Sequence, residues 1–195
     1  MSDKPSWLRD HPSLTPTQIS QIDATHRLRA QAVVSLDAMV ARLEATLERD
    51  GVADNTYIFF SSDNGFHMGE HRLMPGKLTA FDTDIRVPLI VTGPDVVRGR
   101  NVARVTENVD LCPTFVHLGH AGVPPTVDGQ NLVPLLRGKH VPTWRDAALV
   151  EHHGPDFGIS AGPDAAQPGS GTPSTYEALR LRHSVYVEYA NGERE

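Results

Sequence analysis

Residues 61–77, SSDNGFHMGEHRLMPGK, hold the side chains best suited to chemistry. Asp63 and Asn64 set a carboxylate and an amide oxygen side by side, both hard donors that suit calcium or magnesium. Gly65 lets the backbone turn sharply behind them. His67, Glu70 and His71 follow, and Lys77 closes the run. A cation and an ammonium on one loop suit a reaction in which negative charge develops on a transferred anionic group and on its leaving oxygen. Every one of these residues also has an ordinary reading. Asp-Asn-Gly is a common turn, His67, Glu70 and His71 fit a solvated loop, and Lys77 fits the surface. The informative feature is their combination on a single loop that directly follows a buried strand.

That strand is 56–60, TYIFF, β-branched and aromatic without alternation, as expected of a strand covered on both faces. Ligands of α/β proteins sit at the carboxyl ends of such strands. Upstream, Thr15 can cap a helix, Pro16 fits its first position and Gln18 completes a capping box. Val33, Leu36, Val40, Leu43 and Leu47 then form one apolar stripe, which predicts a helix to about residue 50, packed on a sheet and closed by Gly51. Downstream, 87–91 (VPLIV) predicts a second buried strand, with Pro88 better placed at a strand start or edge. Residues 107–119 predict a short helix with Pro113 in its first turn, and 132–136 form an apolar patch. The Gly, Pro, Ala and Ser content of 154–174 predicts a long loop or flexible insert. Residues 178–189 predict one strand, with a turn at 190–193 and a further strand after it. This order predicts an α/β architecture with a mostly parallel sheet.

The formal net charge is −6 and the lysines and arginines are scattered, which argues against a nucleic-acid partner because phosphate contacts need a basic face. No run of about 18 apolar residues predicts a membrane-spanning helix. Residues 1–15 are polar and do not read as a signal peptide. Cys112 is the single cysteine, so neither an internal disulfide nor a thiolate metal cluster can form. Most of the ten histidines are isolated and read as packing or surface residues.

The stretch YIFFSSDNGFHMGEHRLMPGKLTAFDTDIRVPLIVTGP resembles the metal-binding segment of the sulfatase family, within the alkaline-phosphatase-like superfamily. The likeness takes in Ser35-Leu36-Asp37 upstream and the NVDLCPTF and DGQNLVPLLRG segments downstream. It covers roughly residues 4–153, with a fainter match at 178–195. The opening DKPSWLR and the loop GFHMGEHR resemble the glucosamine-6-sulfatase-like branch. The resemblance implies part of an alkaline-phosphatase-like sandwich. Residues 1–145 would be the C-terminal part of the catalytic α/β domain, and 146–195 an incomplete C-terminal subdomain with its loop at 154–174. It further implies that Asp63 and Asn64 contribute to a calcium site, that Lys77 contacts the sulfate group, and that His67 is a catalytic-site contact. The substrate would be a sulfated small molecule or glycan; intact relatives are often exported.

The departures from the pattern are specific. Sulfatases form a formylglycine from the first residue of a C/S-x-P/A-x-R motif. Cys112 is followed by Pro113, Thr114 and Phe115, and no serine begins such a motif. The adjacent Asp-Asp pair of the family's N-terminal metal ligands is absent too. The expectation is a sulfatase fragment that lacks the N-terminal half, with one flank of its sheet uncovered. Two other readings stand beside it: a phosphoester or phosphonate hydrolase of the same superfamily, and a non-catalytic metal-binding remnant.

Overall fold

The computed structural model describes residues 4–154 and 168–195, so the middle of the expected insert, 155–167, lies outside the described residues. Helix α1, Ser6–Arg9, is one turn that buries Leu8. Helix α2, Pro16–Arg49, begins as its local sequence dictates: Thr15 Oγ1 accepts from the Gln18 amide at 3.3 Å, and the Thr15 amide donates to Gln18 Oε1 at 2.9 Å. The expected packing of this helix on a sheet is not found. Of its apolar side chains only Ile22 is buried, and Val33 and Leu43 are 59% and 50% exposed.

Strands β1, Ile58–Ser61, and β2, Leu89–Thr92, pair antiparallel, Ile58 opposite Thr92 and Ser61 opposite Leu89. The expected mostly parallel sheet is therefore corrected for the described residues. A parallel partner needs a crossover that carries the chain back to the starting end. Here the connection is spent on the site loop and on α3, Asp82–Ile85, a single turn, after which the chain returns alongside β1 in the opposite direction. Neither strand is covered on both faces, since β1 is half-buried throughout and β2 alternates between half-buried and exposed. Pro88 stands just ahead of β2, where its missing N–H costs nothing, and its carbonyl accepts from Ser61 Oγ.

A 3-10 turn, Asn108–Asp110, runs into α4, Leu111–Leu118, with Pro113 in its first turn; the apolar patch forms α5, Val133–Leu136. Asp110 is fully buried and saturated: its carboxylate accepts from the Glu107 and Gln130 amides and from Arg145.

Strands β3, Ala147–His152, β4, Tyr176–Leu181, and β5, Val185–Tyr189, form an antiparallel sheet in that order. The single strand expected at 178–189 is a hairpin, because Arg182, His183 and Ser184 turn the chain and the Leu181 amide closes on the Ser184 carbonyl at 2.8 Å. After the turn at Asn191 and Gly192, Arg194 makes an isolated bridge back to Glu188, in place of the further strand expected there. Tyr176, Ala178, Val187 and Tyr189 on the inner face pack with Ala80 and Trp7. A second small core joins Leu8, Leu73 and Phe81. The C-terminal sheet and the site loop thus share one interior.

Candidate active site

Strand β1 delivers the chain to Ser62, Asp63 and Asn64. Asp63 is exposed, and its Oδ1 accepts from the Asn64 amide at 2.9 Å and from Ser62 Oγ at 3.2 Å. The Asn64 amide hydrogen bond is the main reason the Asp63 carboxyl lies below the usual carboxylate range, with Lys77 a smaller contributor of the same sign. Gly65 is obligatory here: a Cβ would stand 2.0 Å from the Thr83 carbonyl oxygen. Its amide donates to the Asp84 carbonyl and the next amide to the Thr83 carbonyl. Asn108 pins the loop from the other side, its Nδ2 donating to the Ser62 and Asp63 carbonyls at 3.0 and 3.1 Å.

The Asn64 side chain has a defined orientation. Its Nδ2 donates to the Gly65 carbonyl at 2.7 Å, which turns Oδ1 toward Lys77, whose Nζ lies 3.3 Å away. The structure thus brings Asn64 and Lys77 together, while Asp63, adjacent in the chain, is exposed and is not part of the cleft lining. All three share the loop between β1 and α3, and Asn64 and Lys77 line a cleft of about 250 Å³.

His67 has a different placement. It is fully buried, and it is not part of the cleft lining. Nδ1 faces Asp84 Oδ1 and Oδ2 at 2.9 and 3.0 Å, and Nε2 faces the Ser170 carbonyl at 2.9 Å. Both ring nitrogens thus face oxygen atoms of the surrounding chain. The Asp84 carboxylate also accepts from the Thr79 amide and hydroxyl at 3.0 and 2.6 Å. The His67 backbone pairs with Gly76, N–H to carbonyl in both directions. The segment carrying Lys77 is therefore gripped at Gly76 through His67 and at Thr79 through Asp84. Between the two grips Leu78 has φ +88°, a conformation costly for a residue with a side chain, and its carbonyl accepts from the Tyr176 hydroxyl at 3.0 Å. Burial pushes the Tyr176 phenol up, which keeps that donor protonated.

Glu70 and His71 stand apart from the cleft. Glu70 is exposed, and His71 stacks on Phe81 with ring centroids 4.0 Å apart, its imidazole held down mainly by partial burial. Part of the expected flexible insert proves anchored: Ser170 is buried over His67, and Gly169 accepts from the Met74 amide. The structure adds Glu151, His152 and Tyr176 to the cleft from β3 and β4. Nothing in the sequence near residue 63 announced them, because strand pairing brings them there. Among the described residues no three His, Cys, Asp or Glu side chains gather to hold a metal, and Asp63 and Asn64 would offer two oxygens of a larger set. That set suits calcium, which takes six or more oxygens and would draw the rest from other ligands. No helix among the described residues is long and apolar enough to cross a membrane.

Comparison with known proteins gives a consistent result. The sulfatase family model matches residues 6–122, more than half of the chain. An arylsulfatase of Volvox carteri is 39% identical over 126 residues, which are 63% of this chain and 19% of that protein. The N-acetylglucosamine-6-sulfatase of Homo sapiens is 38% identical over 142 residues, 72% of this chain and 26% of the relative. The chain thus spans about a quarter or less of the length of these relatives. Among solved structures, a protein in complex with its substrate D-glucosamine-2-N,6-O-disulfate superposes with a TM-score of 0.71 at 28% identity, covering 84% of this chain and 31% of that one. A phosphonate monoester hydrolase from Silicibacter pomeroyi superposes with a TM-score of 0.66 at 29% identity, over 82% and 31%. The α/β class and the alkaline-phosphatase-like fold agree with these superpositions.

Proposed function

Because the chain belongs to the sulfatase family, we propose that it supplies one side of the active site of a sulfuric ester hydrolase. Residues 1–145 are its share of the catalytic domain and 146–195 its C-terminal subdomain, joined at Trp7 and Ala80. The observation that carries the reading is the pairing of Lys77 Nζ with Asn64 Oδ1 at 3.3 Å beside Asp63. Asp63 and Asn64 would hold calcium through a carboxylate and an amide oxygen. Calcium, when bound, supplies Lewis-acid stabilisation of the sulfate oxygens. Lys77 contributes a fixed ammonium to the same anionic group, where charge grows as the ester bond breaks. His67 is a positioning residue in this scheme: with Asp84 it holds the Lys77 segment so that the ammonium is aimed before substrate arrives. The covalent nucleophile of the family, formylglycine, has no recognition motif in these 195 residues, so this polypeptide by itself is expected to bind without turning over. The substrate class is a sulfated small molecule or glycan, a reading supported by the arylsulfatase and N-acetylglucosamine-6-sulfatase relatives.

A phosphonate or phosphoester is the second reading, favoured by the phosphonate monoester hydrolase superposition; an ammonium beside two oxygen donors serves either tetrahedral anion. The test is titration of the chain with an aryl sulfate, and separately with a phosphonate monoester, in calcium on the order of millimolar. The expected result is perturbation of the Asn64 and Lys77 resonances by the sulfate, lost in Lys77→Ala. Stronger perturbation by the phosphonate would transfer the assignment, and no perturbation by either would defeat both. Hydrolysis that disappears in Lys77→Ala would require a nucleophile within this chain.

A further inference from the structure

The chain is acidic as a whole, with a formal net charge of −6, yet two of its loops concentrate positive charge. Residues 95–104, after β2, carry Arg98, Arg100 and Arg104, and residues 137–140, after α5, carry Arg137, Lys139 and His140. Tertiary contacts join the two loops. The Val97 amide donates to the Leu136 carbonyl at 3.0 Å, and Arg104 Nη2 donates to the Val141 carbonyl at 3.2 Å. The Arg100 guanidinium lies over the turn at Gly138, where a Cβ would stand 2.5 Å from its Nη1. All six side chains are exposed. Asp95 is the single acidic residue of these two segments, and it already faces Arg137 at 3.5 Å. Arginines and a lysine gathered in this way, against one carboxylate, make a local positive field on an otherwise acidic surface. The patch is remote from the cleft. Thr92, where β2 ends, lies opposite Ile58, whereas Ser61, from which the site loop departs, lies opposite Leu89. Patch and cleft therefore sit at opposite ends of the β1–β2 ribbon, roughly 10 Å of strand apart.

We propose that this patch is an exosite for a polysulfated glycan chain, gripped through sulfate groups other than the one in the cleft. The choice of sulfate as the anion rests on the sulfatase reading given above; the patch itself does not depend on the roles given to Asn64 and Lys77. Arginine predominates among its cations, and the planar guanidinium sets paired N–H donors against two oxygens of one tetrahedral anion. The cations are spread along two joined loops, which suits charges carried at intervals on a polymer better than one small anion. Val97 and Val102, 44% and 39% exposed among the arginines, offer apolar surface to the carbon faces of sugar rings. A nucleic acid fits less well, because it needs a longer basic track and the chain outside these segments is acidic. A glycan held here keeps its remaining sulfate esters at raised effective concentration near the cleft.

The experiment titrates the full chain with a heparin-derived hexasaccharide, with the same hexasaccharide after desulfation, and with single-stranded DNA of equal charge, while backbone amide resonances are followed. The expected result is that the sulfated hexasaccharide shifts amides within 96–104 and 137–141. Its binding should weaken as salt rises from about 0.05 M to about 0.3 M. The double variant Arg98→Glu, Lys139→Glu should weaken it about tenfold or more, with circular dichroism unchanged because both side chains are exposed. Should that variant misfold, the neutral pair Arg98→Gln, Lys139→Gln reads the same loss at smaller amplitude. A monosulfated aryl ester should leave the patch amides unmoved, which separates the exosite from the cleft. Patch shifts without any response at Asn64 and Lys77 would support the exosite and count against the catalytic reading alone. Hexasaccharide shifts confined to Asn64 and Lys77, or no binding, would overturn the exosite. So would equal binding of the desulfated sugar or of the DNA.

Discussion

Two regions of this molecule invert the usual rule of what lies inside. Between 62 and 84 the chain buries its polar groups: His67, Asp84 and Thr79 are out of water, and each is spent on another. Between 30 and 47 the chain leaves apolar groups in water. The difference shows which part of the structure is self-sufficient. A buried carboxylate costs several kcal/mol unless its partners are in place, and every partner of Asp84 comes from this chain. An exposed apolar stripe has no such internal solution, so α2 is a helix by its local sequence and is left largely uncovered by its packing. Asp63 belongs to neither extreme. It is exposed and held by neighbouring groups on one oxygen, which leaves it able to serve as a ligand where Asp84 cannot.

The sharpest break of this comparison is Asp84→Ala. It strips His67 Nδ1 and both Thr79 donors of their acceptor, and should destabilise the fold by about 3–5 kcal/mol in urea denaturation. A loss below about 1 kcal/mol would mean that the network does not hold the site loop. Gly65→Ala should come next, at about 1–3 kcal/mol, since its Cβ meets the Thr83 carbonyl with no flexible side chain to move. Lys77→Ala should cost less than about 1 kcal/mol of stability and remove the response of Asn64 to aryl sulfate; a large stability loss would reclassify Lys77 as scaffold. Leu43→Asp should change the stability of the isolated chain by no more than about 0.5 kcal/mol, because the side chain is already 50% exposed. A substantial destabilisation there would show that α2 is packed after all.

The smallest effect concerns pH. Asp82 pairs with Arg180, Oδ1 to Nε at 2.6 Å, and that hydrogen bond lowers its carboxyl from 3.8. A lowered folded value means that the pair stabilises the protein above the unfolded value and loses that contribution as pH falls below it. The Asp82 side chain is 46% exposed, so solvent screening holds the effect well under about 1 kcal/mol. The stability difference between wild type and Asp82→Asn should therefore shrink as pH falls from the unfolded value of 3.8 through the lowered folded value. A difference that persists or grows would remove the ion pair from the account.

What could be read from the sequence was local. The start of α2 follows from Thr15, Pro16 and Gln18, whose hydrogen bonds close within one turn. The loop after β1 follows from Asp63, Asn64 and Gly65, and the last turn from Asn191 and Gly192. These signals act over a few residues and survive without knowledge of the rest. The family was legible as well, because the stretch that carries the resemblance, residues 57–94, is contiguous. Tertiary structure alone decided the rest. Whether β1 and β2 run parallel depends on where the intervening loop is spent, and no propensity encodes that. The alternation of 178–189 continues smoothly through a hairpin, since both strands offer the same face to the same core. His67 sits among ligand-like neighbours in sequence, yet Asp84 and Ser170 draw it inside as a prop. Glu151, His152 and Tyr176 reach the cleft only because β3 and β4 pair and pack against the loop that carries Lys77. Short-range hydrogen bonding and side-chain period are written in adjacent residues; strand direction, burial and the far wall of a cleft are set by partners many residues away.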